Sequence, residues 1–181
     1  MKFSETKLKG LYMIEPEPFR DDRGLFFRSF CKKEFFEVGL EKEFVQINQS
    51  INLKKYTFRG LHYQVKPFQD SKLIRCINGK VLDIIVDVRK KSETFLNTFT
   101  IELSSKNKRM LYVPEGFAHG FLTLEDNSQL IYHHTSYYQP GFEGEINYND
   151  PKIQLDLPHS IDVISKKDVE ISLLNDKFKG I

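Results

Sequence analysis

The chain has 181 residues, with 27 Lys and Arg against 25 Asp and Glu for a net charge of +2, and a charged fraction of 29%. That length suits one compact domain over residues 1–181 with a core of its own. The near-cancellation of charge leaves no basic platform for nucleic acid, and the composition without low-complexity tracts excludes a disordered chain. No charged-then-apolar leader opens the sequence and no apolar run nears the roughly 20 residues of a membrane helix, so a cytoplasmic protein with no membrane partner is expected.

In chain order, the N-terminal segment reads as strand-rich. "CKKEFFEVGL" then supports about two helical turns, with Gly39 suited to end them. "FRGLHYQ", residues 58–64, is a strand-like run carrying one histidine. In "KLIRCINGKVLDIIVDVR" the dipeptide Asn78-Gly79 separates two β-rich runs, the strongest short hairpin signal available. "FTIELSS" alternates so that Phe99, Ile101 and Leu103 share a face. "RMLYVPEGFAHGFLTLED" and "SQLIYHHTSYY" add strands divided by polar turns. Near the end, Ser165 followed by Asp168 resembles a capping box with Asp in place of Glu. Short strands at this spacing predict a mainly-β jelly roll, sandwich or barrel, with a core over about residues 40–150 and short C-terminal helices. Cys31 and Cys76 lack metal-ligand spacing and are expected to be reduced thiols.

The histidines raise the question of a metal. Metal-binding cupins carry His-x-His followed closely by Glu, then Pro-x-Gly-x-x-His. "PEGFAH" fits the second pattern and places His119, but after His62 come Tyr63, Gln64 and Val65, with no second histidine or nearby carboxylate. Two nitrogens make a poor transition-metal site. Of the adjacent His133 and His134, strand geometry lets at most one reach a common interior, and a surface or partly buried place is expected for both. No metal or other cofactor is therefore expected. A metal-free histidine can instead serve as a general base, given an orienting carboxylate, an acid partner and a stabiliser of developing charge. Asp168, Tyr132 and Lys72 are candidates for those parts, although capping, core packing and a solvated strand end explain each of them equally well.

The ordered set "FRDDRGLFFRSF", "FVQINQS", "FRGLHYQ", "SKLIRCINGKVLDIIVDVR", "YVPEGFAHGF", "LIYHHTSYYQP", "NYNDP" and "ISKKD" covers nearly the whole chain. It resembles the dTDP-4-dehydrorhamnose 3,5-epimerases, metal-free members of the cupin superfamily. The resemblance implies a cupin-type jelly-roll barrel, a homodimer paired through N-terminal strands, and an epimerase acting on a nucleotide-diphospho-4-keto-6-deoxy sugar for surface polysaccharide synthesis. It implies His62 as base with Asp168 holding its imidazole, Tyr132 as acid and Lys72 facing the enolate oxygen. Arg59 would take the diphosphate; Arg23, Gln46 and Asn48 would contact nucleotide or sugar; Tyr138 would stack on the base; His119, Glu143 and Lys167 would add contacts. Strict alternation sets Arg59 and His62 on opposite faces; a bulge at Gly60 would bring both to one pocket, and without it Arg59 loses this role unless a symmetry mate supplies it.

The sequence departs from the family pattern at Arg28, where a glutamate is usual among ligand contacts, and in "VKPFQDS" before Lys72. A guanidinium in place of a carboxylate reverses charge and hydrogen-bonding sense. A variant substrate, a GDP-linked 4-keto sugar or heptose, is the expectation drawn from it. The readings set against the epimerase are a metal-dependent cupin, a silent sugar-nucleotide binder and a related ketoisomerase.

Overall fold

The computed structural model describes residues 1–181. Its strands are β1 (Lys2–Glu5), β2 (Tyr12–Glu15), β3 (Phe19–Asp21), β4 (Gly24–Phe26), β5 (Gln46–Asn52), β6 (Thr57–Gln64), β7 (Lys72–Asn78), β8 (Lys80–Asp87), β9 (Thr98–Ser104), β10 (Met110–Val113), β11 (Phe117–Thr123), β12 (Ser128–His134), β13 (Glu143–Glu145) and β14 (Val163–Ile164). Two short helices, α1 (Lys32–Glu37) and α2 (Lys166–Val169), complete it. One sheet runs β1-β2-β10-β7-β12-β5 and the other β13-β6-β11-β8-β9, with β14 parallel beside β6. β3 and β4 form a separate hairpin.

The two sheets pack face to face over an apolar layer that includes Ile74, Cys76 and Leu130 from the first and Val81, Ile85, Leu103, Phe117 and Phe121 from the second. Phe99 and Ile101 join this layer with Leu103, as their alternation requires. The outer face of the second sheet, from Phe58, Leu61 and Ile84, is covered by the C-terminal chain through Ile146, Ile153, Leu174 and Phe178. α1 covers part of the first sheet by inserting Phe35 against Leu73 and Tyr112. Apolar burial on three levels supplies the main stabilisation of such a fold.

Several expectations need correction. No ladder joins the two sheets, so the jelly roll is an open sandwich and not a closed barrel. Asn78-Gly79 does not close a hairpin, because β7 pairs with β10 and β12 while β8 pairs with β9 and β11. The dipeptide is a corner that carries the chain from one sheet to the other. Gly79 has φ +69°, and a Cβ there would lie 2.5 Å from Ser128 Oγ, so the close approach of β12 selects glycine as strongly as the turn does. The C-terminal helices reduce to the single turn of α2. Ser165 does cap it, accepting from the Asp168 amide at 3.0 Å, but the Asp168 side chain does not complete a capping box. α1 ends as expected, with Gly39 at φ +79° following Val38.

Candidate active site

Between the sheets, beyond the apolar layer, the interior turns polar. Two adjoining cavities of about 240 and 260 Å³ share Asn48, His62, Lys72 and His134 in their walls. One wall is the first sheet, through Gln46, Asn48 and Ser50 of β5, Lys72 of β7, and Tyr132 and His134 of β12. The facing wall is the second sheet, through Arg59 and His62 of β6 and His119 of β11. Period-two alternation accounts for most of this lining: Leu130 faces the apolar layer, and Tyr132 and His134 continue the same face outward.

β6 breaks its alternation where the expected bulge falls. Arg59 lies opposite Phe121 and His62 opposite His119, so two residues, Gly60 and Leu61, oppose the single Gly120. Leu61 turns to the outer core while Arg59 and His62 both line the cavity. Gly60 takes φ +134°, and a Cβ on it would come within 2.5 Å of the Gly120 Cα. The bulge thus resolves the conflict between Arg59 and His62.

His62 Nε2 lies 2.8 Å from Asp168 Oδ1. The Asp168 side chain is 5% exposed and that of His62 is 43% exposed, so the carboxylate is sheltered while the imidazole reaches the cavity. The other oxygen, Asp168 Oδ2, receives the Gly60 amide at 3.4 Å. With Nε2 engaged, Nδ1 is the nitrogen left without a protein partner. Tyr132 stands on the opposite wall, its hydroxyl 3.1 Å from Ser50 Oγ. Burial pushes the Tyr132 phenol far above the usual tyrosine range, against a smaller opposing pull from Ser50. It therefore keeps its proton throughout the neutral range.

Lys72 Nζ is 3.1 Å from Asp70 Oδ2, and His134 Nδ1 is 2.7 Å from the same oxygen. Asp70 Oδ1 accepts from the amides of Thr135 and Ser136 at 3.0 and 3.2 Å. Burial alone would raise the Asp70 carboxyl; His134 and Lys72 more than offset it and hold the group below the usual carboxylate range. Arg59 Nε donates to Asn52 Oδ1 at 2.8 Å, which fixes the guanidinium plane and leaves its terminal amines to the cavity. At the outer rim the Tyr138 hydroxyl donates to Glu143, and Lys167 Nζ is 2.5 Å from Glu145.

The structure thus gathers His62, Asp168, Tyr132, Lys72, Arg59, Gln46, Asn48, His119, Tyr138, Glu143 and Lys167 around one space. Arg23 and Arg28 are not brought there. Arg23 is 88% exposed on the β3–β4 hairpin and folds back onto Asp21, while Arg28 is 62% exposed and paired with Glu34 at 2.6 Å. Arg28 forms no part of the cavity wall of its own chain, so its charge reversal does not alter the lining there. His133 and His134 are both partly buried, and strand geometry sends only one of them to the cavity. His133 turns outward against Phe44, but His134 is a cavity residue.

Sequence reading missed Asp70, Asp83 and His134. Asp83 is fully buried and lies 2.8 Å from His119 Nε2. Its signal was a carboxylate at an inward position of the apolar run "VLDIIVD". His62 and His119 are ladder partners, yet each commits Nε2 to a different aspartate, and no three His, Cys, Asp or Glu side chains converge as a ligand set.

Comparison with known proteins agrees along the length of the chain. The family model for dTDP-4-dehydrorhamnose 3,5-epimerase matches residues 5–176. The Salmonella typhimurium enzyme of that name is 42% identical over 173 residues, covering 94% of each chain. The crystal structure of the Bacillus anthracis enzyme, with TDP and PPi bound, aligns at a TM-score of 0.92 and 38% identity over 96% of this chain and 99% of that one. The Legionella pneumophila enzyme, in complex with dTDP-4-keto-L-rhamnose, aligns at 0.90 and 38% identity over 95% and 92%. With its jelly-roll sandwich and its cavity set between the two sheets, the chain belongs to the dTDP-4-dehydrorhamnose 3,5-epimerase family.

Proposed function

We propose that this sugar-nucleotide epimerase inverts C3 and C5 of a dTDP-linked 4-keto-6-deoxy sugar by proton removal and return through an enolate. The observation that carries the reading is the opposition of two proton-handling groups. His62, backed by Asp168, stands on one sheet and Tyr132 on the sheet facing it, with the cavity between. A sugar ring held between them offers one face to each, which inversion at carbon requires.

The 4-keto group acidifies the hydrogens on both neighbouring carbons. His62 Nδ1 takes such a proton, and Asp168 stabilises the imidazolium that results. Charge moves to the ketone oxygen, where Lys72 provides a cation that matters most as that charge develops. Tyr132, neutral at working pH, returns a proton from the other side. The reaction as written consumes no redox equivalent and calls for no cofactor. Arg59, with its plane set by Asn52, suits the diphosphate, and the exposed Tyr138 ring suits stacking on the base. Gln46, Asn48, His119, Glu143 and Lys167 supply the surrounding polar contacts.

Incubation in heavy water with dTDP- and GDP-linked 4-keto-6-deoxy sugars and a GDP-4-keto-heptose tests this. NMR is expected to show deuterium entering both C3 and C5 of the dTDP sugar. Exchange at one carbon only would make the protein a single epimerase, and exchange confined to a GDP compound would overturn the nucleotide assignment. Binding without exchange would overturn the chemistry.

The enzyme is further proposed to work in the cytoplasm as a homodimer. Ile47 and Ile51 on the outer face of the edge strand β5 are 60% and 56% exposed, Leu53 just beyond its end 68%, and Phe19 and Phe26 on the β3–β4 hairpin 64% and 77%. A second copy would cover this apolar surface and the unpaired strand edge. Sedimentation at micromolar concentration is expected to give twice the chain mass; a stable monomer would remove the dimer.

A further inference from the structure

A run of hydrogen bonds follows one side of the cavity. The Tyr138 amide donates to Gln46 Oε1 at 3.2 Å, and Gln46 Nε2 donates to Asn48 Oδ1 at 3.2 Å. Asn48 Nδ2 lies 3.3 Å from His134 Nε2, and His134 Nδ1 lies 2.7 Å from Asp70 Oδ2. Both ends have fixed polarity. A backbone amide only donates, and an ionised carboxylate only accepts. Between those ends every link is made only when His134 is neutral, with its hydrogen on Nδ1 and its Nε2 accepting from Asn48.

We propose that His134, held by Asp70, is a positioning residue that sets which way round the amides of Asn48 and Gln46 present donor and acceptor to the bound sugar nucleotide. The assignment rests on the function proposed above. Protonation of His134 puts a hydrogen on Nε2 and turns an acceptor into a donor. Asn48 must then present its carbonyl to the imidazole, its amino group meets Gln46, and Gln46 must turn in its place. That leaves a Gln46 amino group against the Tyr138 N–H. The reversed run has no fully bonded form, so protonation breaks the recognition pattern instead of mirroring it.

Asp70 ties this to the rest of the site, because the oxygen that accepts from His134 also receives Lys72. The charged and titratable groups that share the cavity walls with His134 are Asp70 and Lys72 from the loop before β7 and β7 itself, Tyr132 on its own strand, Arg59, His62 and Tyr63 from β6, His119 from β11, Tyr138, Glu143 and Glu145 from β13 and the segment before it, and Lys167 from α2. His62 and His119 are imidazoles too, so the test must separate His134 from both.

Calorimetric binding of dTDP to the wild type and to His134→Asn, from pH 8 to pH 5, does so. Asparagine keeps a donor toward Asp70 but does not reach Asn48 and does not titrate. At pH 8 the variant is expected to bind about 2- to 12-fold more weakly, the span of one net hydrogen bond. As the pH falls from 8 to 5, wild-type affinity is expected to fall by up to about tenfold per pH unit more than that of the variant. The ratio of the two affinities cancels the contributions common to both proteins, those of the nucleotide phosphate and of the other cavity imidazoles. In turnover, the ratio of variant to wild-type KM is expected to follow the same course while the ratio of their kcat values changes little. Parallel pH curves, or a loss confined to kcat, would overturn the proposal. A measurement on the unaltered protein stands beside it: nitrogen-15 NMR is expected to report the Nδ1–H tautomer for His134 at pH 8, and the Nε2–H tautomer would overturn the proposal on its own. Failure of dTDP to bind either protein would count against the nucleotide in the proposed function, and the tautomer would then decide the role of His134.

Discussion

Replacing His62 with asparagine is expected to lower kcat by about 10²- to 10⁴-fold, the usual contribution of a positioned general base, with little change in dTDP affinity. Asparagine retains a donor toward Asp168, so the buried carboxylate is not stranded. It has no nitrogen basic enough to accept a proton from carbon. Arg59 is held by Asn52 and not by His62, so the diphosphate grip proposed for it survives. Solvent deuterium exchange should fall in step with turnover, because both begin with the same proton removal. A variant that retained more than a tenth of wild-type exchange would transfer the base to another group, with His119 and His134 the remaining histidines of the cavity.

The second large effect is expected on stability. Gly60→Ala places a Cβ 2.5 Å from the Gly120 Cα and 3.1 Å from the His119 carbonyl oxygen, at a φ of +134° that side chains rarely adopt. Both obstructing atoms are backbone, so no rotamer change relieves the contact. Strain of this kind costs about 1–3 kcal/mol, and overpacking adds a similar amount. A total of roughly 3 kcal/mol corresponds to a fall in Tm of about 6–12 °C for a chain of this size. Calorimetry or thermal circular dichroism would check it. A Tm within about 2 °C of wild type would mean that β6 and β11 can part at this point without cost. The Gly79→Ala contact, by contrast, falls largely on the rotatable Ser128 hydroxyl and is the milder of the two.

Much of this architecture was legible because the strands alternate. Phe99, Ile101 and Leu103 declared their face, and Gly39 declared the end of α1. Alternation does not say which sheet a strand joins. Asn78-Gly79 satisfies a two-residue hairpin and a sheet-switching corner equally well, since both ask for a positive φ at the glycine. Only the packing of Ser128 against Gly79 distinguishes them, and that contact spans residues far apart in sequence. The site divides in the same way. The family pattern supplied His62, Asp168, Tyr132 and Lys72, and the need for a bulge followed from requiring Arg59 and His62 on one face. His134 was legible in principle, two residues beyond Tyr132 on the same side of β12, but its paired neighbour His133 diluted the signal. Asp70 lies in a loop with no period, and nothing local marks it as the acceptor for two cavity donors. Arg23 and Arg28 were placed by motif alone, and motif order carries no information on whether a surface hairpin meets the cavity of its own chain.

The bulge in β6 does more than orient side chains. Arg59 and His62 sit two rungs apart on β11, the spacing that an unbroken strand one residue shorter would also give. In this chain three steps separate them, so the extra residue is what returns both to one face. What the extra residue adds is one more peptide unit than the ladder with β11 consumes. The surplus is put to use on both sides: Leu61 exchanges backbone hydrogen bonds with Ile146, and the Gly60 N–H is released toward Asp168. An irregularity in pairing thus becomes a main-chain donor aimed at the carboxylate that holds the base. Side-chain substitution cannot delete that donor, and only proline at position 60 would withdraw it.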